Sequence, residues 1–150
     1  MNNKILIAED NPVSLRLLVY TLQHEGYQVL TTANGLEGLR KTLKEKLNLV
    51  ILDVTLSGID SLEVCHRMRT EPQTSQLPIL MLSANGEEID SSTWLNAGTD
   101  DYISIPWNPQ ELVTKIATLL ERKRAILSSN LERRFGFEAL RYEKEYAYHE

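Results

Sequence analysis

The stretch NLVILD, residues 48–53, is a short apolar run that ends in a carboxylate. Its length and its branched aliphatic side chains are typical of a β-strand that is buried on both faces of a sheet. Two further runs, KILIA at 4–8 and PILMLS at 78–83, have the same character. The three segments therefore predict the central strands of one sheet.

Two more segments, Tyr27–Thr31 and Asp101–Ile105, complete a set of five predicted strands. Between the strands, leucines and other apolar residues recur every three or four positions, which is typical of amphipathic helices. These helical patterns are Leu15, Leu18, Val19 and Leu22; Leu36, Leu39, Leu43 and Leu47; Leu62, Cys65 and Met68; and the segment Glu87–Ala97. A fifth helix is expected to begin at Asn108-Pro109, an N-cap followed by a first-turn proline. Strands that alternate with helices predict an α/β fold with a parallel sheet covered on both faces.

Polar side chains stand where three of these strands end. Glu9 and Asp10 follow the first strand, Asp53 ends the third and Ser83 ends the fourth. Ligands of open α/β sheets bind outside the carboxyl ends of the strands, so these groups predict a binding site. Clustered carboxylates with oxygen-only ligands favour a hard cation such as Mg²⁺. A carboxylate in this position is also a candidate nucleophile towards phosphorus, and a metal ion would neutralise charge on the phosphoryl group.

Composition narrows the class of protein. The net charge of −5 argues against general nucleic-acid binding, and no apolar stretch approaches the length of a membrane span. The N-terminus does not resemble a secretory signal, so a cytoplasmic location is expected. Cys65 is the only cysteine, which excludes an internal disulfide and a site of paired thiolates.

Residues 4–120 resemble the receiver domain of response regulators in two-component signalling, a CheY-like domain. Five segments carry the resemblance, and they occur in order at family-like spacing: ILIAEDNPVSLRLL, TTANGLEGL, LVILDVTLSGID, PILMLSA and AGTDDYISIPW. The resemblance implies a doubly wound, five-stranded (βα)5 flavodoxin-like fold with the strand order 2-1-3-4-5. It also implies a signalling module in a phosphorelay, not an enzyme.

The resemblance assigns a role to each acidic residue. Asp53 is expected to accept a phosphoryl group from a histidine kinase or a phosphotransfer protein. Glu9, Asp10 and Asp53 are expected to hold Mg²⁺ together with the backbone carbonyl of Thr55. The output would pass to a downstream protein or an effector domain.

Two further residues match the switch positions of the family. Ser83 corresponds to the hydroxyl that moves towards the phosphoryl group, and Tyr102 corresponds to the aromatic side chain that follows this movement. Together they are expected to change the surface formed by the fourth helix and the fifth strand.

One position departs from the family pattern where the chemistry is most sensitive. The family places a lysine immediately before a proline, and this chain has Ile105 before Pro106 and Trp107. A unit charge about 4 Å from a phosphoryl oxygen would contribute up to roughly 4 kcal/mol at an effective dielectric near 20. Mg²⁺ can still neutralise most of the charge, so we expect the metal site to survive. We expect the coupling of phosphorylation to shape to be weak, because a population shift requires different interactions in the two states. The resemblance further implies a cis Ile105–Pro106 peptide bond.

The loop after Asp53 departs from the family pattern as well. Ser57 and Ser61 stand where the family usually has a proline and a glycine.

The chain continues beyond the receiver. Residues 1–122 are predicted to form the receiver, and residues 123–150 a helical, aromatic-rich extension or the start of an effector or linker. A single long helix would carry Leu112, Ile116, Leu119, Ile126, Leu127 and Leu131, with Gly136 as the expected break. Such a helix is compatible with a homodimer. The segment could pack on the receiver or on a second chain, and its nearly balanced charges give little support for DNA binding.

Other classes of function fit the residues less well. A phosphatase of the haloacid dehalogenase type needs a second aspartate two residues after the nucleophile, and here Asp53 is followed by Val54 and Thr55. A P-loop is absent from the sequence. A degenerate pseudo-receiver, which binds partners without phosphorylation, remains the alternative: the acidic residues favour a working receiver and Ile105 favours the pseudo-receiver.

Overall fold

The computed structural model describes residues 3–54, 61–84 and 96–135, and these residues form an α/β fold around one parallel sheet. The strands are β1 Lys4–Ala8, β2 Gln28–Thr32, β3 Leu49–Asp53, β4 Ile79–Ala84 and β5 Asp101–Ile105. The helices are α1 Pro12–His24, α2 Gly35–Lys44, α3 Ser61–Thr70 and α4 Pro109–Phe135. The sheet order is β2-β1-β3-β4-β5, which confirms the predicted fold and strand order. Most of the helix predicted at Glu87–Ala97 lies outside the described residues.

The central strands are apolar because both of their faces are covered. Every residue of β3 is buried, and so are all residues of β1 except the first. One face of the sheet packs against α2 and α3 through a cluster that includes Leu39, Met68 and Met81. The other face packs against α1 and α4 through a second cluster. The helices on the two faces hold the carboxyl ends of the strands in fixed positions relative to one another.

Strand β2 begins one residue later than predicted, at Gln28 instead of Tyr27. The N–H of Tyr27 donates to the carbonyl of Leu22 at 3.1 Å, so it closes the end of α1 and does not pair with β1. Gly26 has a φ of 90° in this turn, a conformation that side-chain-bearing residues rarely adopt.

The apolar stripe predicted for the second helix is wrong in part. Leu36 and Leu43 are 40% and 39% exposed, whereas Gly38 and Thr42 are buried beside Leu39. A Cβ atom at position 38 would lie 3.3 Å from Cγ2 of Thr32. The glycine therefore lets α2 approach the sheet closely, and this turns the face with the small residues inwards.

Helix α4 begins as the sequence predicts and then runs well beyond the sheet. The side chain of Asn108 accepts from the N–H groups of Gln110 and Glu111 at 2.7 and 3.4 Å, which caps the first turn. Leu112, Ile116 and Leu119 are buried. The helix then continues without a break to Phe135, so the predicted domain boundary at residue 122 lies within it and stays a prediction.

The Ile105–Pro106 peptide bond that precedes this helix is cis, as predicted. The predicted helix break at Gly136 lies outside the described residues. In the part of the chain that the structure describes, no helix combines the length and the apolar character that crossing a bilayer requires.

Candidate functional site

Three carboxylates meet at the carboxyl edge of the sheet. Glu9 and Asp10 directly follow β1, and Asp53 is the last residue of the neighbouring strand β3. One oxygen from each of the three side chains lies within 4.8 Å of the others. The structure therefore brings together the acidic residues that the sequence singled out.

Backbone hydrogen bonds hold this cluster in place. The N–H of Glu9 donates to the carbonyl of Thr32 at 2.9 Å, which extends the β1–β2 pairing by one residue. The side chain of Asn11 accepts from two N–H groups of the first turn of α1, so the chain turns away directly after Asp10.

On the side of Asp53, the buried hydroxyl of Ser61 donates to the main-chain carbonyl of Asp53 at 2.6 Å. This contact ties the first residue of α3 to the end of β3. The sequence offered one signal for it, since a serine stands where the family usually has a glycine, but the contact itself was not predicted.

Two of the three carboxylates are buried, and this burial raises the pKa of Glu9. Glu9 and Asp53 are only 1% and 5% exposed, whereas Asp10 is exposed. The pKa of Glu9 is raised from 4.5 to about 8, first because burial removes water from the carboxylate. A hydrogen bond to Asp53 and the negative charge of Asp53 raise the pKa further, and a backbone hydrogen bond at Asn11 opposes them. Without a cation, the cluster therefore favours the protonated form of Glu9.

The donor set fits a hard divalent cation. Oε2 of Glu9 is buried and makes no hydrogen bond within the described residues, so one carboxylate oxygen is left without a partner. Oxygen-only ligands that include several carboxylates match Mg²⁺. The fourth predicted ligand, the backbone carbonyl of Thr55, lies outside the described residues.

Ser83 lies on β4, the neighbour of β3, and Tyr102 lies on β5, one strand further along the sheet. Ser83 is fully buried near the end of β4, and its Oγ makes no hydrogen bond within the described part of the chain. Tyr102 on β5 is 41% exposed, and its ring lies 5.9 Å from Nζ of Lys115. Their roles in switching stay predictions.

Ile105 lies at the end of β5, opposite Ala84 of β4. It is half-buried against the core cluster on the α1 and α4 side of the sheet, where Trp107 also packs. Lys115 of α4 contacts β5 at its other end, where Nζ lies 3.2 Å from the carboxylate of Asp101. This lysine is therefore engaged at the amino end of the strand, away from the acidic cluster.

The comparison with known families agrees with this geometry. The family model of the response regulator receiver domain matches residues 5–117. The chain belongs to this family. Receiver domains are signalling domains of two-component systems, and the predicted resemblance is confirmed.

Two curated relatives that the chain resembles are named as transcriptional regulatory proteins. The chain is 41% identical over 122 residues to the alkaline phosphatase synthesis transcriptional regulatory protein PhoP of Bacillus subtilis, covering 81% of this chain and 50% of PhoP. It is 37% identical to the phosphate regulon transcriptional regulatory protein PhoB of Rhizobium meliloti, covering 87% of this chain and 57% of PhoB. The chain thus spans about half the length of these relatives.

Solved structures of receiver domains have the same fold. A CheY-like receiver domain protein from Methanospirillum hungatei is 30% identical with a TM-score of 0.77, over 83% of this chain and 98% of that one. The receiver domain of the sensor histidine kinase PA1611 from Pseudomonas aeruginosa is 26% identical with a TM-score of 0.75, over 81% and 99% of the two chains. That structure has a magnesium ion coordinated in its active-site cleft.

Proposed function

We propose that this receiver accepts a phosphoryl group on Asp53 in a phosphorelay and passes the signal to a downstream protein or effector domain. The observation that carries the proposal is the carboxylate cluster at the carboxyl edge of the sheet, in which Glu9 and Asp53 are buried and an oxygen of Glu9 makes no hydrogen bond within the described residues. The cluster leaves Asp53 beside two further acidic side chains, which is the arrangement that a metal-assisted phosphoryl acceptor requires.

The acidic residues have separate tasks in this proposal. Glu9, Asp10 and Asp53, with the backbone carbonyl of Thr55, would hold Mg²⁺, and the bound ion supplies positive charge against the phosphoryl oxygens. A carboxylate oxygen of Asp53 forms the new bond to phosphorus while the bond from phosphorus to the donor breaks. The leaving group of a histidine kinase or phosphotransfer protein is then an imidazole nitrogen, which keeps the electron pair.

Ser83 and Tyr102 would connect the phosphoryl group to the surface of the domain. The Oγ of Ser83 is buried and has an unused donor, so it can give a hydrogen bond to a phosphoryl oxygen on the neighbouring strand. Tyr102 would respond on β5. Because Ile105 supplies no charge to stabilise the phosphorylated form, we expect phosphorylation to shift the shape of this surface only weakly.

The alternative function is a pseudo-receiver that acts as an interaction module without phosphorylation. The half-buried Ile105 favours it, since an apolar side chain replaces the cation that the family places beside the phosphoryl group.

Phosphorylation with a small donor separates the two functions. The protein is incubated with acetyl phosphate and Mg²⁺, and the product is measured by intact mass. A gain of one phosphoryl group that is lost in Asp53→Asn and in EDTA supports the working receiver. No gain at saturating donor and metal would replace this proposal with the pseudo-receiver.

The role of Ile105 needs a second readout. Amide chemical shifts along β5 are compared before and after phosphorylation in the wild type, in Ile105→Lys and in the apolar control Ile105→Leu. We expect small shifts in the wild type and in Ile105→Leu, and larger shifts in Ile105→Lys. Equally large shifts in all three proteins would show that the missing lysine does not weaken the switch.

We further propose that the outer part of α4 pairs with a second copy of the chain. The helix continues for 16 residues beyond the buried Leu119, and Leu127 is exposed on this part. Sedimentation of the wild type and of Leu127→Gln tests the pairing. A dimer that the substitution weakens supports it, and a monomer at high concentration contradicts it.

A further inference from the structure

A second polar site lies at the opposite edge of the sheet from the acidic cluster. A cleft of about 140 Å³ is bounded by Pro78, which precedes β4, by Asp100, which precedes β5, and by one side of α4. A groove of about 600 Å³ lies between the end of α2 and the segment 73–77. Lys123 of α4 lines both, so the cleft and the groove are neighbours.

Basic side chains dominate this edge although the whole chain carries a net charge of −5. Arg69, Arg122 and Lys123 line the cleft, and Lys44 and Lys46 line the groove with Lys123. A positively charged, concave surface on an acidic protein is typical of an anion-binding site, since the charges act together within a low-dielectric wall.

The acidic residues in the lining are already engaged. The carboxylate of Asp100 lies 2.7 Å from Nη2 of Arg69 and accepts the N–H of Ile79 at 2.7 Å. Oε2 of Glu45 lies 3.5 Å from Nζ of Lys4, a residue that lines neither the cleft nor the groove. Asp100 thus neutralises Arg69, and Glu45 is paired with Lys4, so neither acid is paired with Arg122, Lys123, Lys44 or Lys46.

The side chains of the other four cations, Lys44, Lys46, Arg122 and Lys123, make no ion pair or hydrogen bond within the ranges 3–54, 61–84 and 96–135. Of these four residues, Lys123 is half-buried, and burial lowers the pKa of its ammonium group. An ammonium that is withdrawn from water without a partner costs free energy, and a bound anion would offset this cost.

The shape of the two spaces indicates what kind of anion fits. The groove combines the apolar side chains Leu43, Leu47 and Leu77 with polar neighbours such as Gln73, and its volume lies in the range of small-molecule sites. The smaller cleft presents an arginine fork and an ammonium, a pair that matches the two negative charges and several acceptor oxygens of a phosphate group.

We propose that this edge binds a phosphate-bearing small molecule, with its phosphate group between Arg122 and Lys123 and its organic part in the neighbouring groove. The site is separate from Asp53 and needs no Mg²⁺. A ligand there would contact both α4 and the segment before β4, and so would hold the helix against the body of the domain.

Calorimetric titration of the full chain in EDTA tests this proposal, because EDTA prevents phosphate from binding at the acidic cluster through a metal ion. The probes are AMP, inorganic phosphate and adenosine. We expect saturable binding of AMP, weaker binding of inorganic phosphate and none of adenosine. Equal affinities for AMP and phosphate would support the phosphate position with free phosphate as the ligand. No saturable binding of AMP or phosphate at millimolar concentration would overturn the proposal.

Charge-removing variants locate the site. Arg122→Gln and Lys123→Gln should each weaken binding at least about tenfold, which corresponds to about 1.4 kcal/mol. Arg16→Gln on α1 is the matched control, because Arg16 is exposed and has no partner within the described residues. The exposed Arg122 gives a second variant if Lys123→Gln folds poorly. An equal loss in Arg16→Gln would reduce the effect to general charge attraction and refute the site.

Discussion

Replacing Glu9 with glutamine should stabilise the metal-free protein above neutral pH. Glu9 is only 1% exposed, and its pKa is raised from 4.5 to about 8 by burial and by the hydrogen bond and charge of Asp53. One pKa unit corresponds to about 1.4 kcal/mol, so ionising this carboxyl in the folded protein costs up to about 5 kcal/mol. Glutamine keeps the shape of the protonated carboxyl and removes this cost.

The sign of the pH dependence follows from the same pKa. The folded protein binds a proton on Glu9 more tightly than the unfolded chain, so the free energy of unfolding is highest below pH 4.5 as far as Glu9 is concerned. This contribution falls as the pH rises towards about 8 and is absent above it. Mg²⁺ binds the ionised form, so we expect it to stabilise the wild type more at about pH 8 than at about pH 6.

Urea unfolding in EDTA at about pH 5 and about pH 8.5 measures this effect. Titrating groups outside the acidic cluster contribute equally to the wild type and to Glu9→Gln, so the difference between the two proteins reports on the cluster that contains Glu9. Glu37→Gln is the matched control, since it removes a carboxyl group that is exposed on α2. A difference between wild type and Glu9→Gln that stays constant between the two pH values would refute the argument.

Three further substitutions test the scaffold by urea unfolding. Leu22→Ala removes a fully buried side chain of α1 and should lower the free energy of unfolding by about 2–5 kcal/mol. Asn108→Ala removes the cap of α4 and should cost about 1 kcal/mol, seen also as faster amide exchange in its first turn. Arg69→Gln should cost about 2–3 kcal/mol, because Arg69 donates to several main-chain carbonyls and pairs with Asp100. The exposed Arg67→Gln should cost under about 0.5 kcal/mol, and an equal loss at both arginines would contradict the bracing role of Arg69.

The sheet and its acidic edge could be predicted because their signals are local. Each central strand is a run of apolar residues, and all five residues of β3 are buried as that pattern predicts. Strand ends in a parallel sheet share one edge, so the positions of Glu9, Asp10 and Asp53 in the sequence placed all three on the same edge. The strand order depended on the family resemblance, since hydrophobic patterns do not specify which strands are neighbours.

Contacts between distant elements could not be predicted in this way. Leu36 and Leu43 follow the helical spacing of a buried face and are exposed, because the close approach at Gly38 decides which side of α2 faces the sheet. The hydrogen bond from Ser61 to Asp53 and the bracing contacts of Arg69 depend on how loops return to the sheet. Spacing along the chain carries no information on those paths.

Because α4 is uninterrupted, it can carry a small movement in the core over a long distance. Its first turns are anchored in the core by Leu112, Ile116 and Leu119, and the remaining 16 residues rise about 24 Å to Phe135. A tilt of only about 5° at the anchored end would displace the far end by about 2 Å over this length. A change at β5 that is too small to alter the core packing would therefore move the far end of α4 as a rigid body.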